Sequence, residues 1–249
     1  MNWKFSGTRA LLLGGTCELA LTLASFMIES SLFPILTYRN EEGQNVIKKA
    51  LPHLEGKYDA CCLDFGDRDS LDSLFSYIGD NLDFVVDFAQ GNYESLIAQA
   101  DGDDVHRYFS ENVSFRAEIL KMAGRVMLKK RKGRLVFISS TAAPRPNPGQ
   151  GFYAAAKLAS EALYRNMGLE LGKRGITTVV LRPGYVDAGR GREYLQEQDG
   201  KILEAVPIKR AITRNEIAET ILFLLSDSAA GMNATEITMD GGLSYRKGK

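Results

Sequence analysis

A doubly wound α/β fold, a seven-stranded parallel sheet with helices on both faces, is what three features of the sequence predict. Short apolar runs alternate with segments of helical composition along the whole chain. The runs are apolar at consecutive positions, as strands buried on both faces are, and intervening helices make such a sheet parallel with right-handed crossovers. A glycine turn, Gly14-Gly15, stands between the first run and the first helical segment. No repeat, low-complexity tract or Pro/Gly linker divides the 249 residues, so one domain is expected over 1–249.

The predicted strands are Ala10 to Leu13, Pro34 to Tyr38, Asp59 to Leu63, Phe84 to Phe88, Leu135 to Ser139, Thr177 to Leu181 and Glu236 to Met239. Lysine plus arginine equals aspartate plus glutamate at 31 each, which argues against a general nucleic-acid or anionic-membrane binder. Three cysteines, Cys17, Cys61 and Cys62, show no metal-ligand spacing and are too few for a disulfide framework. Nowhere do eighteen apolar residues run uninterrupted, and the first fifteen residues lack a cleavage-like segment. A soluble, cytoplasmic protein is expected. His53 and His106 read as surface residues, and Trp3 and Ile221 to Leu225 as packing.

After the first strand comes Leu13-Gly14-Gly15-Thr16-Cys17-Glu18-Leu19-Ala20. A parallel sheet binds a dinucleotide diphosphate there, with glycine allowing close backbone approach and helix N–H groups meeting the anion. That is the Rossmann arrangement. Glu18 and Ala20 fall where the second and third glycines of G-x-x-x-G-x-G would stand, so a carboxylate lies near the diphosphate and repels it unless turned away or hydrogen-bonded. Strand two runs into Arg39, which favours the 2′-phosphate of NADP, or else merely begins a surface helix with Glu41 and Glu42. Asp64, at the end of strand three, either accepts from the adenine amino group or caps the next helix.

Tyr153 and Lys157 are four residues apart in an Ala-rich helical segment and so share one face. An ammonium beside a phenol is expected to pull its pKa down toward working pH, as a general acid or base requires. Ser140, thirteen residues before Tyr153, emerges at a strand's carboxyl end. Tyr245 and Lys249 repeat the tyrosine–lysine spacing without a helix, so the spacing alone is weak.

Together these positions resemble the short-chain dehydrogenase/reductase family, most of all its 3-oxoacyl-[acyl-carrier-protein] reductase branch. Arg182-Pro183-Gly184-Tyr185-Val186, Val206-Pro207-Ile208-Lys209-Arg210 and Asp240-Gly241-Gly242 carry the likeness over nearly the whole chain. The resemblance implies a catalytic set of Asn112, Ser140, Tyr153 and Lys157, with Asn112 supporting a water relay. It implies NADP(H) held by Gly14, Thr16, Glu18, Leu19, Arg39, Asp64, Phe65, Ala89, Tyr153, Lys157, Pro183, Gly184 and Val186. It also implies a variable lid over 188–206, substrate or carrier contacts from Arg131, Arg174 and Arg190, and a homo-oligomer, dimer or tetramer. The expected reaction is reduction of a 3-oxoacyl thioester on acyl carrier protein or coenzyme A. Other alcohols or ketones, such as a sugar or polycyclic substrate, and a non-catalytic dinucleotide-binding role are alternatives. The departures are Glu18, Ala20, the segment Asp87-Phe88-Ala89-Gln90 in place of Asn-Asn-Ala-Gly, and Ala188 in place of a threonine. For Arg131 and Arg174, simple complementation of helix C-termini is the competing explanation; for Arg190 it is exposure to solvent.

Overall fold

The computed structural model describes residues 3–198 and 201–245. Chain order is β1 (Arg9–Leu13), α1 (Glu18–Glu29), β2 (Phe33–Tyr38), α2 (Glu41–Ala50), β3 (Asp59–Cys62), α3 (Arg68–Ile78), β4 (Phe84–Asp87) and α4 (Gly102–Phe109). After a π-helical turn at Ser110–Ser114 come α5 (Phe115–Lys130), β5 (Gly133–Ile138), α6 (Gly151–Leu171), β6 (Ile176–Pro183), α7 (Gly189–Glu197), α8 (Arg214–Leu225) and β7 (Thr235–Met239). Among the described residues these strands form one seven-stranded sheet in the order β3-β2-β1-β4-β5-β6-β7, every neighbouring pair parallel. The strand boundaries differ from the predicted ones by a residue or two. β6 continues through Arg182 and Pro183 because both still pair with β7, and β5 begins at Gly133 because it pairs with Ile176.

Alternation along each strand explains the consecutive apolar runs. Ala10, Leu12, Val136 and Ile138 face one core, shared with α1, α2 and α8. Leu11, Leu13, Leu135 and Phe137 face the other, shared with α3, α5 and α6. Ile221, Leu222, Leu224 and Leu225 are spent in the first of these cores, and Trp3 lies 5.3 Å from the Phe223 ring, so that stretch is internal packing. His53 and His106 are exposed, and among the described residues no cluster suited to a metal occurs. No described helix is long and apolar enough to cross a membrane.

Winding runs outward from β1 to β3, then returns to place β4 on the other side of β1. Such a switch point opens a crevice at the carboxyl ends of the strands. Helix capping marks the same place. Asn40, Asp67, Asp101 and Thr213 cap α2, α3, α4 and α8 with their side chains. The N-termini of α1, α6 and α7 have no such cap, and residues of all three line the crevice.

Candidate active site

The crevice encloses about 520 Å³ and is lined by Ser140, Tyr153, Lys157, Pro183, Gly184 and Arg190, among others. Ser140 follows β5; Tyr153 and Lys157 point from the first two turns of α6. A polar brace fixes strand to helix below them. Ser139 Oγ donates to Glu161 Oε1 at 2.5 Å, and Arg182 Nε donates to the same oxygen at 2.7 Å. Thr141 N, donating to the Pro183 carbonyl at 3.0 Å, ties the Ser140 turn to the end of β6.

Lys157 is 3% exposed; its Nζ donates to the Ile138 carbonyl at 2.7 Å and lies 5.9 Å from the Tyr153 ring centroid. Burial, reinforced by Arg116 and Arg190 against Asp87 and Glu161, brings its pKa down to about 7. Tyr153 departs from expectation. Burial raises its pKa, opposed by the Arg190 charge and a hydrogen bond with Ser140, while Glu94 adds to the rise. Helical spacing puts the ammonium near the phenol, but the buried lysine turns to a backbone carbonyl, and the cation that most favours the phenolate comes from α7.

Asn112 sits in the π turn, 3% exposed. Its Oδ1 accepts from Gly91 N at 2.8 Å and its Nδ2 donates to the Tyr108 carbonyl at 2.9 Å. Its own carbonyl accepts from Arg116 Nη1 and, at 3.4 Å, from Ser160 Oγ. A relay water at this carbonyl would therefore compete with a guanidinium.

On the β1 side, Gly14 has φ +70°, and a Cβ there would come within 2.9 Å of the Ala89 backbone; one on Gly15 would press on Thr37. These glycines let the turn lie tightly between β2 and β4. Glu18 is hydrogen-bonded rather than bare. Arg192 donates to both its oxygens at 3.0 and 2.8 Å, Gly189 N at 3.2 Å and Arg214 at 3.5 Å. The Arg192 contacts, ahead of the rest, hold the Glu18 carboxyl below its usual range. Arg192 also bonds Asp187 at 2.8 Å, so the clasp straps α7 across the start of α1. The expected lid over 188–206 is α7 followed by a 3-10 turn at Lys201–Ala205; Asp199 and Gly200 lie outside the described residues, as does Lys249 of the second tyrosine–lysine pair. Ala188 is the residue before α7 and is 8% exposed.

The donors and acceptors here fit a nicotinamide dinucleotide. The uncapped start of α1 offers N–H groups to a diphosphate. Gln90 Oε1, buried at the crevice with no hydrogen-bond partner among the described residues, is an acceptor for a hydroxyl or amide. Glu18, Leu19 and Val186 line the crevice, whereas Gly14, Thr16, Arg39, Asp64, Phe65 and Ala89 lie beyond its lining. Arg39 Nε meets Asp64 Oδ2 at 3.3 Å, with the arginine 68% exposed. Asp64 does not cap the next helix; Asp67 does.

Arg131 and Arg174 are brought together. The Arg131 carbonyl abuts Gly175, and both arginines precede the starts of β5 and β6. That edge is opposite the crevice, roughly 20 Å away at about 3.3 Å of rise per strand residue. Arg190 lines the crevice and forms no ion pair among the described residues.

Two further residues, buried near Lys157, bear on the site. Arg116 and Asp87 form an ion pair at 2.7 Å with both side chains 0% exposed. The signal was an arginine three and four residues before Ile119 and Leu120, on the apolar stripe of α5, matched by an aspartate ending an apolar strand.

Residues 19–244 match a family described as Enoyl-(Acyl carrier protein) reductase. The 3-oxoacyl-[acyl-carrier-protein] reductase FabG of Haemophilus influenzae is 28% identical over 240 residues, 95% of this chain and 98% of that protein. FabG of Pseudomonas aeruginosa is 30% identical over 174 residues, 70% of each chain. A solved short chain dehydrogenase/reductase family protein superposes with a TM-score of 0.85 at 26% identity, covering 98% of this chain and 100% of its own. With this match, a switch-point crevice and a serine, tyrosine and lysine converging in it, the chain belongs to the short-chain dehydrogenase/reductase family of NAD(P)-dependent oxidoreductases.

Proposed function

We propose that this protein reduces the carbonyl of a 3-oxoacyl thioester to the 3-hydroxyacyl form with NADPH, in fatty-acid or polyketide-like biosynthesis in the cytoplasm. The observation that carries the reading is the meeting of Ser140, Tyr153 and Lys157 in one crevice beside Pro183 and Gly184. A serine and a tyrosine hydroxyl converging on one point suit an oxygen on which negative charge develops. That favours reduction of a carbonyl over reduction of a carbon–carbon double bond. A bound nicotinamide would supply the hydride. Tyr153 gives its proton to the oxygen; the burial that raises its pKa keeps it protonated until the charge develops. Ser140 orients that oxygen, Lys157 holds positive charge on the cofactor side, and Asn112 anchors the turn at Gly91, next to the crevice residue Gln90.

Arg39 supports the choice of NADPH, since an exposed cation at the end of β2 suits a 2′-phosphate. Arg190, without an ion partner, is the proposed substrate contact. Arg131 and Arg174, together on one edge, are the proposed contacts of an acidic acyl carrier protein, whose bound arm would have to reach the crevice from the far end of the sheet. A homo-oligomer is proposed on the exposed Leu158 and Leu169 of α6. Another carbonyl substrate is the second reading, favoured by the polar lining of Glu94, Arg145 and Gln150.

The test is NADPH absorbance after addition of an acetoacetyl thioester. The wild type is expected to turn over, and Tyr153→Phe to lose about 10²-fold or more. Equal rates in the two proteins remove Tyr153 from the chemistry. Arg131→Glu with Arg174→Glu is expected to cost activity on carrier-bound substrate and spare the small thioester.

A further inference from the structure

Arg116 makes contacts that a core residue does not need merely to fill space. Its Nε donates to Asp87 Oδ2 at 2.7 Å, Nη1 to the Asn112 carbonyl and to Ser160 Oγ at 3.0 Å, and Nη2 to the Ala89 carbonyl. The guanidinium thus joins the end of β4, the turn after it, the π turn and α6. Asp87 is equally committed: Oδ1 accepts from Ala89 N at 3.0 Å and Oδ2 from the Tyr164 hydroxyl at 2.9 Å. Well-packed apolar residues hold a core as firmly as a buried ion pair does, so stability alone does not account for the pair.

Its position does. Arg116 Cζ lies 5.2 Å and Lys157 Nζ 4.8 Å from the centroid of one ring, Phe137, with Tyr164 stacked on the same ring. Two cations share a small volume from which water is excluded.

We propose that Arg116 is a positioning residue of this site that acts on the reaction through Lys157: paired with Asp87, it clamps the Asn112 and Ala89 carbonyls against α6 and sets a fixed positive charge beside the lysine. The proposal rests on the reductase reading for its consequence in turnover, not for its geometry. Lys157 is faced by Asp87 of β4, Arg116 of α5, Glu161 and Tyr153 of α6 and Arg190 of α7, with the Cys17 thiol near enough to feel its charge. After burial itself, Arg116 is the largest influence lowering the Lys157 pKa, ahead of the opposing Asp87. An arginine stays charged throughout the working pH range, so its effect does not titrate away. Without it, Lys157 holds its proton to higher pH.

The experiment is a carbon NMR titration of protein labelled at lysine Cε, with the Lys157 signal identified by its loss in Lys157→Met. The wild-type signal is expected to titrate near neutral pH. In Arg116→Gln it is expected to move up by about one unit or more, a tenfold or larger rise in proton affinity. Asp87→Asn with Arg116→Gln removes both charges while keeping hydrogen-bonding groups, and moves the signal the same way by less; it carries the test if the single variant fails to fold. Arg116→Lys keeps the charge without the fork, so the titration stays near the wild-type value while kcat falls. The high-pH limb of kcat is expected to follow the NMR value. A Lys157 signal that titrates at one pH in the wild type and in the folded variants, or that moves down, overturns the proposal. Absence of thioester turnover, with the titration behaving as described, instead overturns the reductase reading and leaves this one standing.

Discussion

Asp87 and Glu18 are both carboxylates at the switch point where a neutral residue was expected, and each has found an arginine, yet the two pairs do different things. Asp87–Arg116 is sealed, with both side chains 0% exposed and the guanidinium spread over four polymer segments. Glu18–Arg192 stands at the crevice mouth with side chains 34% and 38% exposed, shared with Asp187 and Arg214. A buried pair cannot lose one member without stranding the other, whereas an exposed pair is screened by water and exchanges partners readily. Depth thus decides which pair stays fixed and which can exchange partners.

The largest effect expected from breaking this contrast is on stability. Arg116→Met strands the Asp87 carboxylate and is expected to cost about 3–5 kcal/mol in urea unfolding, with Asp87→Asn added to it restoring part of the loss. A single variant as stable as the wild type means that the pair is not sealed. Glu18→Gln is the counterpart: its melting temperature is expected to stay close to that of the wild type, while hydrogen exchange at the Gly189 amide and along α7 speeds up because the clasp loses its charge and one acceptor oxygen. Unchanged exchange there means that the clasp does not hold α7.

A smaller effect lies in the pH dependence of stability. The Lys157 pKa is about 7 when folded against 10.5 for an ordinary lysine, so between those values the unfolded chain binds the extra proton. Stability then rises with pH across that window, and the cost of burying the charge is complete only below it. Lys157→Met removes this cost. Its advantage over the wild type in urea midpoint is expected to shrink as pH rises from about 7 toward 10.5; a constant advantage means that Lys157 is not the titrating group.

What could be read in the sequence divides along similar lines. The sheet, its switch point and the convergence of Ser140, Tyr153 and Lys157 follow from local pattern, because a strand end and one helix face fix where those side chains go. Arg192 was not legible as the partner of Glu18, because 174 residues separate them and no periodicity links α1 to the lid. Arg116 left a trace, a charge on an apolar stripe, but its partner lies 29 residues earlier on another element. Spacing reports the charge near Tyr153 and says nothing of burial, which here outweighs it and raises the pKa.

If the paired carboxylates leave the crevice open to a dinucleotide, fluorescence titration of the purified protein with NADPH and with NADH reads it. Saturable binding of NADPH, tighter than that of NADH and weakened toward the NADH value by Arg39→Ser, is the predicted result. Binding of neither dinucleotide contradicts it, for then Glu18 and the Asp87–Gln90 segment close the site in spite of their arginines.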